Sequence, residues 1–93
     1  MQKVIKKIKV RNMVSSKGNT IPNQFIIETS DGIYFQSYTT IIAFKKHHQV
    51  YLDKQKWDYS RTTGKYRNIF LGEDKRETER KIKSMVYLLT DLN

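Results

Sequence analysis

The sequence is poor in the residues that staple, kink or anchor a chain. Its 93 residues include no cysteine, one proline and four glycines. Without cysteine there is no disulfide framework, no thiol nucleophile and no Cys-based zinc or iron–sulfur site. That composition fits a reducing cytoplasm. No apolar run approaches the ~18–20 residues that span a bilayer, so no membrane partner is expected. The first residues, Met1-Gln2-Lys3-Val4-Ile5-Lys6-Lys7-Ile8, alternate charged and apolar types and lack the continuous apolar core of a signal peptide. We read a soluble cytoplasmic protein whose residues 1–93 form a single domain with one modest core.

Acid is scarce as well. Lysine and arginine number 18 against 9 aspartates and glutamates, for a formal net charge of +9. Residues 1–20 carry Lys3, Lys6, Lys7, Lys9, Arg11 and Lys17 and no acid at all. The excess then returns around Trp57, with Lys54, Lys56, Arg61, Lys65 and Arg67 against Asp53 and Asp58. Residues 21–50 and 73–93 are balanced. Two basic tracts on one face would meet phosphate. Alternating lysines on a strand also serve a plainer purpose, since they wet one side and block edge-to-edge pairing.

What remains is a pattern of short strands followed by short helices. Ile8, Val10 and Val14 alternate with Lys7, Lys9, Arg11 and Met13, the period of a half-buried strand. Residues 15–20 and Pro22-Asn23 read as loop. Strands over 24–30 and 33–38 flank Asp31-Gly32, which favours a two-residue type I′ turn with Phe25 opposite Tyr38. That pairing puts Phe25, Ile27, Tyr34 and Tyr38 on one face and Ile26, Glu28 and Phe35 on the other. Thr39 to Phe44 and Val50 to Leu52 suggest a second hairpin across a polar turn over 45–49. Thr62 or Thr63 would cap a helix over 65–71 with Tyr66, Ile69 and Phe70 on one side, and Gly72 would stop it. Asp74 and Glu77 have capping-box spacing for a second helix to about Ser84, with Glu77–Lys81 and Glu79–Lys83 as i,i+4 pairs. Residues 86–89 close the chain as a strand. The expected class is α+β, a mainly antiparallel sheet of about five strands with two short helices before the last.

The candidate chemistry is thin. His47 and His48 are adjacent, point apart on a turn, and have no acid at a local ligand spacing, so no metal site is assigned. Asp53 and Asp58 flank Trp57 and would be the carboxylates of a small metal-dependent nuclease. Asp58 is better explained as a partner of Arg61 or Arg67. Ser60, Thr62 and Thr63 have no histidine near them and suit capping. Gly32-Ile33-Tyr34 spells half of the GIY-YIG nuclease signature, but its partner tripeptide is missing. No catalytic residue and no cofactor is assigned. From Lys54 to Phe70, bases and rings interleave, the pattern of a surface that stacks bases and holds phosphates. The same rings also suit a core, as a lone Trp in a small domain usually does.

The run Trp57-Asp58-Tyr59-Ser60-Arg61-Thr62-Thr63-Gly64-Lys65-Tyr66-Arg67-Asn68-Ile69-Phe70-Leu71 resembles a large family of small proteins from phages and mobile elements of Gram-positive bacteria. Its members share a W-D-Y-S-x-T-T-x-K-x-x-N-x-F-L pattern, then a charged helix and a strand like Tyr87-Leu88-Leu89-Thr90. Residues 36–43 and 50–53 are also similar, so the likeness spans about residues 24–93. Gly64 stands where the pattern often has Ser. The resemblance carries no activity. It implies an accessory protein that binds host machinery, as anti-CRISPR and anti-restriction proteins do. The expected function is therefore a non-enzymatic binding protein. Its partner would be nucleic acid, or a host nucleoprotein that handles it. The candidate binding residues are Lys3, Lys7, Lys9, Arg11, Trp57, Tyr59, Arg61, Lys65 and Arg67.

Overall fold

A computed structural model describes residues 7–93. Lys3 lies outside them. The protein is α+β, as the pattern of elements suggests. Six strands form one sheet, β1 (Lys9–Val14), β2 (Thr20–Glu28), β3 (Ile33–Ser37), β4 (Thr40–Lys46), β5 (Gln49–Asp53) and β6 (Tyr87–Thr90), ordered 1-2-3-4-5-6. The first five pair antiparallel, and β6 joins β5 in parallel. A parallel neighbour needs a crossover. Helices α1 (Arg61–Leu71) and α2 (Lys75–Lys83) supply it.

The crossover lays both helices on one face of the sheet. The ring of Phe70 stacks on Phe35 at 5.7 Å, and the Ser37 and Thr63 hydroxyls share a buried hydrogen bond of 2.9 Å. Lys45 donates from Nζ to the Phe70 carbonyl at 2.6 Å, giving the C-terminal end of α1 a cation that the helix itself lacks. Burial pushes the Lys45 ammonium down, only partly opposed by the charge of Glu73. At α2, the Glu73 carboxylate accepts from Thr78 Oγ1, Lys81 Nζ and Tyr87 Oη, which fastens the helix to β6. Under the helices lie Met13, Ile26, Phe35, Ile42, Ala43, Leu52 and Tyr87. Ile42 and Ala43 are adjacent and both buried because a bulge interrupts the β3–β4 register there.

Several local readings change. On β1 the buried residue is Met13, at 7% exposure, while Ile8, Val10 and Val14 are exposed. Met13 shares the parity of Lys9 and Arg11, so the side of β1 that carries the cations is the side turned to the helices, while its apolar alternation points to the other. Pro22-Asn23 lies inside β2, with Asn23 at φ 66°. The hairpin pairs Glu28 with Ile33 and Gln24 with Ser37, so the Asp31-Gly32 link is part of a four-residue turn. There Thr29 Oγ1 accepts from the Asp31 and Gly32 amides. The slip is two residues, which preserves the assignment of faces. Tyr38 leaves the strand at φ 56° and its amide donates to Asn23. The β4–β5 turn is only His47-His48; Lys45 and Lys46 belong to β4.

In α1, Ser60 is the cap, its Oγ accepting from the Thr63 amide at 3.1 Å. The helix therefore starts four residues earlier than the Thr62/Thr63 reading places it. Tyr66 and Phe70 pack on the core, but Ile69 is 56% exposed. Gly72 ends the helix at φ 72°, and Asp74 caps α2 through the Glu77 amide. Glu77 pairs with Arg80 instead of Lys81, which Glu73 holds.

Candidate functional site

After β5 the chain must turn back over the sheet. Asp53, 3% exposed, organises that turn: its carboxylate accepts from the amides of Gln55, Lys56 and Leu92. Burial pushes its pKa up, but these bonds, with Asn93, outweigh it and hold the group below the usual carboxylate value. Both of its oxygens are committed to backbone, so it is a fold residue. Trp57 follows, its amide bonded to the Asp53 carbonyl and its ring packed against the core.

The centre of the next segment is Arg67, which is 1% exposed. Nη1 donates to the Trp57 carbonyl at 2.8 Å and to Asp58 Oδ1 at 3.2 Å, and Nη2 to Asn68 Oδ1 at 3.0 Å. The guanidinium also lies 5.2 Å from the Trp57 ring centroid. Gly64 sits above this group, and a Cβ there would stand 3.5 Å from Nη2, in ordinary contact. Asp58 Oδ2 takes a second cation, Lys75 Nζ, at 2.7 Å. Burial pushes the Asp58 carboxyl up, and the bonds from Lys75 and Arg67 overcome that and hold it below its usual range.

A concavity of about 640 Å³ opens here, between Asp58, the first two turns of α1 and Lys75. Arg61 and Lys65 line it and are exposed. The first turn of α1 contains no acid, so its unpaired amides and dipole keep a positive end at the same place. The local carboxylate, Asp58, is already taken by two cations. The arrangement is suited to an anion, and it offers no acid–base pair.

The structure gathers Trp57, Arg61, Lys65 and Arg67, and places Lys7, Lys9 and Arg11 elsewhere. Lys9 and Arg11 are on strand β1 with the parity of Ile26 and Phe35, the helix side. Arg11 pairs with Glu28 at 3.1 Å, and Lys7 and Lys9 line a different, smaller depression beside Glu28, Thr29 and Ser30. Among the described residues, Lys9 and Arg11 thus share a face with the cations of α1 but not a pocket. Arg67 is interior and Trp57 is half-buried against the core, whereas Arg61 and Lys65 are exposed. Tyr59 is exposed and lies under Lys56 Nζ at 5.1 Å, while Tyr66 is half-buried under Lys65 at 5.4 Å. Sequence reasoning missed Lys75, which is far from Asp58 along the chain and reads there only as part of a capping box. Among the described residues, no three His, Asp or Glu side chains converge as a metal site would require, and no helix is long and apolar enough to cross a membrane.

The chain belongs to the family described as a family of unknown function (DUF8033), which it matches over residues 8–85. No curated protein and no solved structure matches it.

Proposed function

We propose that this member of a family of unknown function is a non-enzymatic nucleic-acid-binding protein. It would grip the phosphate backbone at the N-terminal end of α1 and act in the cytoplasm of the host cell. The reading rests above all on one observation. Arg61 and Lys65 line a concavity whose lone carboxylate, Asp58, is held by Arg67 and Lys75. Two exposed cations and a helix N-terminus then have nothing left to neutralise them inside the site. Lys9 adds to the positive field on the same face of the sheet and Lys7 lines the depression beside it, while Arg11 is offset by Glu28. Tyr59, exposed beside Lys56, is the ring placed to lie against a base. Asp53 is bound by backbone amides and Asp58 is paired with Arg67 and Lys75, which favours binding over the nuclease reading. The phage and mobile-element resemblance around Trp57 makes nucleic acid held by a host nucleoprotein the natural biological form of this ligand.

Electrophoretic shifts with single- and double-stranded DNA and RNA test it. Binding should weaken from about 50 mM to about 200 mM salt, because each neutralised phosphate releases a counterion. Replacing Arg61 and Lys65 together by Ala should weaken binding to all sequences alike and lower the log–log salt slope by about two. Absence of a shift at the lower salt, or an unchanged slope in the double variant, would overturn the proposal. Arg67 is not a target for this test, since its side chain is interior.

A further inference from the structure

The side of the sheet that the helices leave bare has an order of its own. The strand register lines up Val10, Ile27, Tyr34, Phe44, Tyr51 and Leu88, one from each strand, directly opposite one another. Residues in register share a face. The next row, Arg11, Ile26, Phe35, Ala43, Leu52 and Leu89, points to the helices. The bare face therefore carries an unbroken apolar row across all six strands. Tyr34 and Phe44 stack at 4.1 Å, with Tyr51 6.1 Å from Phe44. Val10 is 61% exposed, and the other five are half-buried by one another. Of the ionisable strand residues with this parity, Lys46 is exposed and Asp53 is buried under backbone amides.

We infer that this face packs against the same face of a second copy, forming a two-fold dimer. Three observations point to a second copy as occupant. First, charge: in a chain of net charge +9, the described strands present one exposed cation on this face, Lys46, while Lys9, Arg11 and Lys45 point to the other side. Two copies meeting here keep their basic faces turned away from each other. Lys46 is the one exposed cation that these strand residues offer a polyanion, and Phe44, between Tyr34 and Tyr51, has no ring face free for a base. Second, self-complementarity: an isologous contact must match its own reversal. The row runs aliphatic, aliphatic, aromatic, aromatic, aromatic, aliphatic. An axis between Tyr34 and Phe44 sets each over the other of the partner, Ile27 over Tyr51 and Val10 over Leu88. Third, area: six strands about 4.8 Å apart and about five residues long give a face of roughly 24 by 17 Å. Two such faces together would bury about 800 Å², the size of a weak, transient interface, so the dimer should dissociate readily on dilution.

Light scattering after gel filtration, at about 0.5 M salt to remove nucleic-acid bridging, tests the inference over a dilution series. The expected mass is twice 11.1 kDa at high concentration, falling toward 11.1 kDa on dilution. Tyr51→Lys should abolish association. Val10→Lys, at a position exposed enough to take a charge without repacking, should weaken it at least tenfold. Ile69→Lys, on the exposed side of α1, should leave it unchanged. A wild-type monomer at all concentrations overturns the inference. So does a dimer that survives Val10→Lys, or one that Ile69→Lys disrupts. The outcome does not depend on nucleic-acid binding, because the two sites lie on opposite faces.

Discussion

Arg67 offers the sharpest quantitative test of how this fold is held. Its guanidinium is interior, makes three hydrogen bonds within 3.2 Å and covers the Trp57 ring. Replacement by Met keeps much of the stem and removes the charge and the donors. The Trp57 carbonyl then loses its Arg67 bond, which costs about 1–3 kcal/mol if no water replaces it. Loss of the ring contact adds about 0.5–1 kcal/mol. Asp58 loses less, because it is partly open to water and keeps Lys75. The total is about 2–4 kcal/mol, a large share of the ~5–15 kcal/mol that stabilises a small domain. At about 4–8 °C per kcal/mol for a chain of this size, the midpoint should fall by at least 8 °C. Arg67→Lys, which keeps the charge but not the planar fork, should fall between wild type and Met. Thermal denaturation followed by far-UV circular dichroism measures both. Buried ion pairs are sometimes replaced by apolar groups at no loss. If Arg67→Met lies within about 0.5 kcal/mol of wild type, the net worth of this network is nil and the argument fails.

Two further perturbations follow from named contacts. Gly32 has φ 154°, and a Cβ there would lie 2.2 Å from the Lys45 carbonyl oxygen, so Gly32→Ala should destabilise by about 2–3 kcal/mol in urea titrations. Gly18→Ala, with open space around it, should cost no more than about 1 kcal/mol. Asp53, Asp58 and Glu73 all have folded pKa values below the usual ones, the lowering by their hydrogen-bond donors exceeding the raising by burial. A group depressed in this way contributes stability above its unfolded pKa, and that contribution disappears as pH falls through the folded value. The urea midpoint should therefore drop steadily below about pH 4, and Asp53→Asn should be less stable at pH 7 and lose less on acidification. A midpoint flat from pH 7 to pH 3 would refute it.

The strands, the two helices and their stops were legible because each is written locally. Period-two alternation marks the hairpins, Gly72 can take the left-handed conformation, and the Asp74–Glu77 spacing presents a side-chain oxygen to a helix amide. The hairpin faces could be read too, because a slip of two residues leaves parity intact. The inward face of β1 could not: Met13 lies on the side that carries Lys9 and Arg11, and only pairing with β2 turns that side to the helices. The start of α1 was misread since Ser60, Thr62 and Thr63 are all competent caps, and only the docking of Thr63 on Ser37 selects Ser60. The site was half visible. Sequence identified the cations around Trp57, but not that Arg67 turns inward while Arg61 and Lys65 turn outward, nor that Lys75 closes on Asp58.

The α+β class, the basic excess and the residues able to supply it follow from the order of amino acids, because these depend on propensity, spacing and charge within a few positions. The tertiary structure alone decided the parallel closure by β6, the burial of Arg67 and the alignment of six apolar residues into one row. Each of these is a meeting of segments distant along the chain, and its energy is a property of the packed arrangement that no local stretch contains.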